Sequence, residues 1–135
     1  MTGARYEDAR YGGASARGQA DMDDLHASVL RRFAAPIAAG IVVVQRSTSE
    51  AAAAALDDGS LDWVYIDGNH LYEFVRRDLD LYLPKVKRGG LLTGDDYGQA
   101  GWWEDGVTRA VDELVAAGRC EPVTTKASQF VLRKP

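Results

Sequence analysis

LDWVYIDGNHLYEFVRRDLDLYLPKVKRGGLLTGDDY, residues 61–97, contains two apolar runs that each stop at glycine and acid. The first, Leu61 to Ile66, fills with the β-formers Trp63, Val64, Tyr65 and Ile66 and stops at Asp67-Gly68, which predicts a strand with Asp67 at its carboxyl end. Leu91, Leu92 and Thr93 repeat the pattern before Gly94, Asp95 and Asp96. Between them Leu71, Phe74, Val75, Leu79 and Tyr82 recur at helical spacing, with Glu73, Arg76, Arg77 and Asp80 on the opposite face and Pro84 as the stop. Strand, helix and strand joined by short turns make a βαβ unit with parallel strands and a right-handed crossover. If the strands are neighbours, about 4.8 Å apart, Asp67 and the Asp95-Asp96 pair meet at the sheet edge where α/β folds take ligands.

Outward from this unit, Ile41 to Val44 is a continuous apolar run, which predicts a strand buried on both faces. Ser47 and Glu50 have capping-box spacing ahead of the alanines at 51–55, so a helix is expected from Ser47–Ser49 to about Asp57–Gly59. Upstream, Met22, Leu25, Val29, Leu30 and Phe33 trace one helical face that ends near Pro36, with Asp21, Asp23 and Asp24 in the first turn. Residues 1–20 show no period and read as a loop or disordered lead-in to a domain over 21–135. Downstream, Val107, Ala110, Val111, Leu114 and Val115 predict a helix stopped by Gly118, and 121–125 and 129–132 an antiparallel pair at the sheet's edge. The loop after Asp96 carries Trp102 and Trp103, either a substrate wall or lid, or cover over the sheet edge.

Composition narrows the function classes. At 135 residues the chain is long enough for one domain. A net charge of −4 argues against a nucleic-acid binder, which needs a basic stripe. Cys120, as the single cysteine, permits no internal disulfide and fits a reducing compartment. No run has the pattern of a signal peptide or a membrane span, so the expectation is a soluble cytoplasmic protein without membrane partners.

Carboxylates gathered at one sheet edge repel unless a cation sits among them, and hard oxygen donors suit Mg²⁺ or a similar ion. His70, three residues after Asp67, has the near-neutral basicity to take a proton from a hydroxyl. Acids at strand ends are also common turn chemistry, and Asp67 or Asp95 taken alone could merely cap the following helix, whereas Asp67, His70 and Asp96 together favour a functional site. A phosphatase reading of the acids fails on spacing, because Asn69 stands where a second acid would be needed after Asp67.

LDWVYIDGNHLYE, DLDLYLPKVKRGG, LLTGDDY and GVTRAVDEL, in this order and spacing, resemble the class I SAM-dependent methyltransferases of the macrocin O-methyltransferase type. The resemblance implies a Rossmann-like α/β fold with a mostly parallel sheet, and O-methylation of a small-molecule hydroxyl, of sugar or secondary-metabolite kind. It implies Mg²⁺ held by Asp67, Asp95 and Asp96, with Asp96 the firmer ligand of the GDDY pair, and His70 as general base beside Asp67. It places SAM against the Ser47, Thr48 and Ser49 turn and against Asp67 and Gly68. The likeness runs from about Ile41 to the C-terminus. Full members open with a strand, a Gly-rich loop, a helix and a second strand ending in acid, whereas Gly12-Gly13 follows no apolar run. The expectation is therefore an N-terminally truncated sheet whose exposed edge a second copy or a partner subunit covers. A remnant without catalysis, acting as a binding or oligomerisation module, is the alternative.

Overall fold

The βαβ unit forms as its pattern requires. In the computed structural model, which describes residues 18–135, β1 (Leu61–Ile66) and β2 (Val86–Gly94) pair in parallel, with Ile66 opposite Gly94. The helix between them spans Tyr72–Tyr82. Asn69 starts it: its side-chain oxygen accepts the Leu71 N–H at 3.0 Å, the local bond that makes Asn a turn residue. β2 begins five residues before Leu91, because buried Val86 pairs with Leu61; the register then shifts, and residues 87–90 bulge before Leu91 meets Trp63.

The chain divides into two units, one ending at Arg46 and the other spanning Ser47–Pro135. In the first, α1 is Gln19–Arg32 and α2 is Ala34–Ala38. Pro36 lies within α2, near its start, where a missing N–H removes no intrahelical bond. Leu25, Val29, Leu30 and Phe33 follow the expected face but remain about 40% exposed, so α1 buries no residue fully. Arg46 pairs with Asp23 at 2.6 Å. The strand expected at Ile41–Val44 is not formed. The N–H groups of Ile41 and Val42 both donate to the Pro36 carbonyl, at 2.9 and 3.2 Å, which ties them to the end of α2 instead of to a sheet.

In the second unit α3 (Ser49–Ala54) is shorter than expected and is capped by Thr48, whose hydroxyl accepts the Ala51 N–H. The helix between the parallel strands is α4 (Tyr72–Tyr82), and α5 is Gly106–Ala116. Gly118, at φ 66°, closes α5. β3 (Glu121–Lys126) and β4 (Gln129–Arg133) form the expected hairpin. Its two-residue turn holds Ala127 and Ser128 both at positive φ, as the tight right-twisted hairpin requires.

The sheet order is β1-β2-β4-β3, so the expectation of a mostly parallel sheet is corrected. Among the described residues only β1 and β2 are parallel; the hairpin brings β4 alongside β2 in the opposite direction, and β3 follows. One core sits between the sheet and α4 with α5. Val75, Leu79 and Leu83 and then Val107, Ala110, Val111 and Leu114 pack on Val86 and Leu92 of β2 and Phe130 and Leu132 of β4. Leu92, Phe130 and Leu79 are all but inaccessible, which makes this layer the main apolar stabilisation of the unit. Cys120 is buried at the edge of that core, and burial pushes its thiol up, away from the reactive thiolate. No helix among the described residues is long and apolar enough to cross a membrane.

Candidate functional site

Parallel pairing sends the ends of β1 and β2 in one direction, and this places Asp67 and Asp96 together. His70, in the turn before α4, reaches between them: its Nε2 lies 3.5 Å from Asp67 Oδ1 and 3.2 Å from Asp96 Oδ2. One donor atom from each of the three lies within 4.8 Å of the other two. Asp67 is the open side of the group, with more than half of its side chain exposed, whereas His70 and Asp96 are mostly covered.

Backbone conformation aims these groups. Asp96 has φ 61°, a left-handed conformation a non-glycine residue adopts at some cost, and such residues concentrate at functional sites. The turn begins at Gly94, where a Cβ would lie 2.5 Å from the Ile66 carbonyl and 2.6 Å from the Phe130 ring. On the other side, Gly106 at the start of α5 abuts the loop bearing His70; a Cβ there would stand 2.4 Å from the His70 carbonyl oxygen. Both strand ends and the helix thus meet with no room for a side chain.

Asp95 points elsewhere. Its Oδ1 accepts the backbone N–H of Asp96 at 2.9 Å and the Ser128 hydroxyl at 3.0 Å. Those bonds, the backbone one first, hold its carboxyl below the usual carboxylate range. Of the three sequence-derived ligands, Asp67 and Asp96 come together, Asp95 is engaged with the β3–β4 turn, and His70 occupies the third place. Two carboxylate oxygens and one imidazole nitrogen fit a divalent cation, and three protein donors leave positions open for other ligands. The nitrogen donor moves the set from the all-oxygen preference of Mg²⁺ toward Mn²⁺ and its neighbours.

Of the residues expected at the cofactor, Ser49, Asp67 and Gly68 line one cavity of about 270 Å³ along β1, with Val64, Ile66, Asp78 and Tyr82. Ser47 and Thr48 precede Ser49 at the start of α3, where Thr48 is engaged as the cap. Asp78 is a lining residue that sequence reasoning missed, because its place in α4 reads as solvent-facing. It is 9% exposed, and burial pushes its carboxyl up, against a hydrogen bond from Ser49 that lowers it. The cavity is slightly smaller than pockets that hold a whole drug-sized ligand. A second hollow, about 80 Å³ between α4 and α5, lies away from the acids and is rimmed by ion pairs of Arg76 with Glu113 and Arg119 with Asp80.

Comparison with known proteins identifies the family of the chain. Residues 7–97, more than half of the chain and including Asp67, His70 and Asp96, match the family model described as a methyltransferase domain. An uncharacterized protein of Acanthamoeba polyphaga mimivirus is 40% identical over 65 residues, covering 46% of this chain and 29% of that protein. Among solved structures, a candidate O-methyltransferase from Klebsiella pneumoniae shares the fold with a TM-score of 0.60 at 16% identity, over 82% of this chain and 58% of that one. The O-methyltransferase NovP aligns with a TM-score of 0.45 at 28% identity, over 56% of this chain and 30% of NovP. The chain thus spans less than two-thirds of each of these relatives. With its parallel strand pair, its acids at the strand ends and the family match across both, this chain belongs to the methyltransferase domain family.

Proposed function

We infer that the chain serves SAM-dependent O-methylation of a small-molecule hydroxyl, of sugar or secondary-metabolite type, assisted by a divalent cation. The observation that supports this reading best is the convergence of Asp67, His70 and Asp96 at the ends of a parallel strand pair within the family match. Oxygen is the acceptor this chemistry favours, because a cation bound by Asp67 and Asp96 lowers the pKa of a hydroxyl beside it. His70, whose Nε2 reaches both carboxylates, would take the hydroxyl proton on that nitrogen when it is not bound to the cation, and it is the nearest base for it. The hydroxyl oxygen then bonds to the methyl carbon as the carbon–sulfur bond breaks, and the demethylated cofactor leaves. Ser47, Thr48, Ser49, Asp67 and Gly68 are the proposed cofactor residues, three of them around the cavity along β1.

Isothermal titration with SAM, with and without Mg²⁺ or Mn²⁺, tests the reading. A single binding event, tightened by the cation, is expected. Absence of heat with SAM and with its demethylated product, in every condition, would contradict it.

A second reading is favoured by β1 itself. Among the described residues β1 pairs only with β2, and Trp63 and Tyr65 on it are 60% and 41% exposed. An unpaired apolar edge invites another strand. In this reading a second copy or a partner subunit completes the sheet, and the chain works as a binding module. Size-exclusion chromatography then gives a mass above 14.7 kDa that falls on dilution. A monomer at every concentration counts against it.

A further inference from the structure

The loop between β2 and α5 carries the one described ring that touches His70. We propose that Trp103 is a positioning residue whose indole holds the His70 imidazole toward Asp67 and Asp96; the proposal rests on the cation-centre reading above. The two rings meet edge to face, with centroids 4.9 Å apart and planes at 79°. Trp102 backs Trp103 in the same manner, at 5.6 Å and 90°. An imidazole held only by two carboxylates on one side keeps freedom about its side-chain torsions. A flat ring edge on its other side removes that freedom, since edge-to-face contact fixes both distance and tilt.

The loop is built to keep Trp103 there. Glu104, at φ 59°, turns the chain so that its N–H donates to the Gly101 carbonyl at 2.9 Å. Gly101 then lies flat under the indole: a Cβ at that position would be 2.6 Å from the ring. The Gly106 N–H donates to the Trp103 carbonyl at 3.2 Å, and Gly106 is the residue abutting the His70 backbone. Side chain and main chain of one loop therefore bracket His70. The indole N–H makes no hydrogen bond to any described residue. The contact with His70 is thus made by the ring, edge to face, and not through the indole N–H. Phenylalanine should accordingly replace it.

The test compares the parent with Trp103→Phe and Trp103→Ala, with Trp103→Leu added to keep bulk without a ring should the alanine variant fail to fold. In cation-free protein, three-bond couplings report the His70 χ1 rotamer. A single rotamer is expected in the parent and the Phe variant, and averaging in the Ala or Leu variant. A single rotamer in all of them overturns the proposal. Mn²⁺ titration gives the second readout. The Phe variant should bind as the parent does and the Ala or Leu variant about tenfold more weakly, the scale of lost support around a ligand. In a His70→Ala background the Trp103 substitution should cause no further loss, because an effect routed through His70 cannot be additive with its removal. Additive loss, or a Phe variant as weak as the Ala one, overturns the proposal while leaving the cation reading intact. A parent that binds no Mn²⁺ contradicts the cation reading, and the rotamer result then decides the positioning role by itself.

Discussion

Asp67→Asn with Asp96→Asn abolishes Mn²⁺ binding, a loss of at least about 100-fold in affinity, because it removes both charged donors from a group of three. The same double substitution leaves the melting temperature of the cation-free protein unchanged or slightly raised. In the absence of a cation these acids face each other around a mostly covered imidazole, and neither is part of the apolar core. Thermal melts separate the two effects. Saturating Mn²⁺ raises the parent's midpoint, since any ligand that prefers the folded state stabilises it by mass action, about 2.7 kcal/mol at a hundredfold excess over Kd. It leaves the double variant's midpoint where it was. A parallel loss of stability without cation would mean that the acids are turn-capping residues. Asp95→Asn is the internal contrast: Asp95 is held by Ser128 and the Asp96 N–H, so its loss should loosen the turn without removing a donor.

Phe130→Ala carries the largest expected cost in stability. Phe130 is 1% exposed, packs in the layer between the sheet and the helices, and stands opposite Gly94 in the β2–β4 ladder. Removing a buried aromatic typically costs about 3–5 kcal/mol through lost transfer energy and the cavity left behind. For a unit of this size that lowers the melting midpoint by on the order of 15 °C. The consequence reaches the site, because the Phe130 ring lies against the Gly94 backbone from which Asp95 and Asp96 emerge. Chemical denaturation should show the lower midpoint, and Mn²⁺ affinity should fall with it even though no donor is touched. Phe130→Leu, which keeps most of the volume, should recover much of both. Unchanged stability in the alanine variant would show that the layer does not carry the fold.

The central part of the fold was legible because residues 61–97 combine two period markers with punctuation: β-formers ending at Asp67-Gly68, a 3.6-residue repeat through Tyr82, and a second run ending at Gly94. The terminal hairpin and the helix stopped by Gly118 were readable on the same terms. Ile41–Val44 misled because an apolar run specifies burial only where neighbouring strands receive it, and here Pro36 takes two of its amides. The parallel bias of the sheet was overestimated for a related reason: hairpin pairing of β3 and β4 was foreseen, but its placement beside β2 is a long-range choice no local pattern encodes.

At the site, residue types were readable and directions were not. Asp67, His70 and Asp96 followed from strand ends and helix start. The rotation of Asp95 toward Ser128 depends on a partner 33 residues away, and so does any choice between Asp95 and His70 as the third donor. Trp103 was visible as an aromatic in a glycine-bearing loop, but its contact with His70 depends on the positive φ of Glu104 and on the missing Cβ of Gly101. Asp78 was hidden by its helix, where one acid among several polar residues gives no sign that it faces a cavity.

Crystals grown with Mn²⁺ and measured at a wavelength where manganese scatters anomalously would locate the ion directly. One strong peak is expected between Asp67, Asp96 and His70, at about 2.0–2.3 Å from their donor atoms. A peak that engages Asp95 and leaves His70 free, or no peak at this strand edge at saturating Mn²⁺, would contradict this expectation.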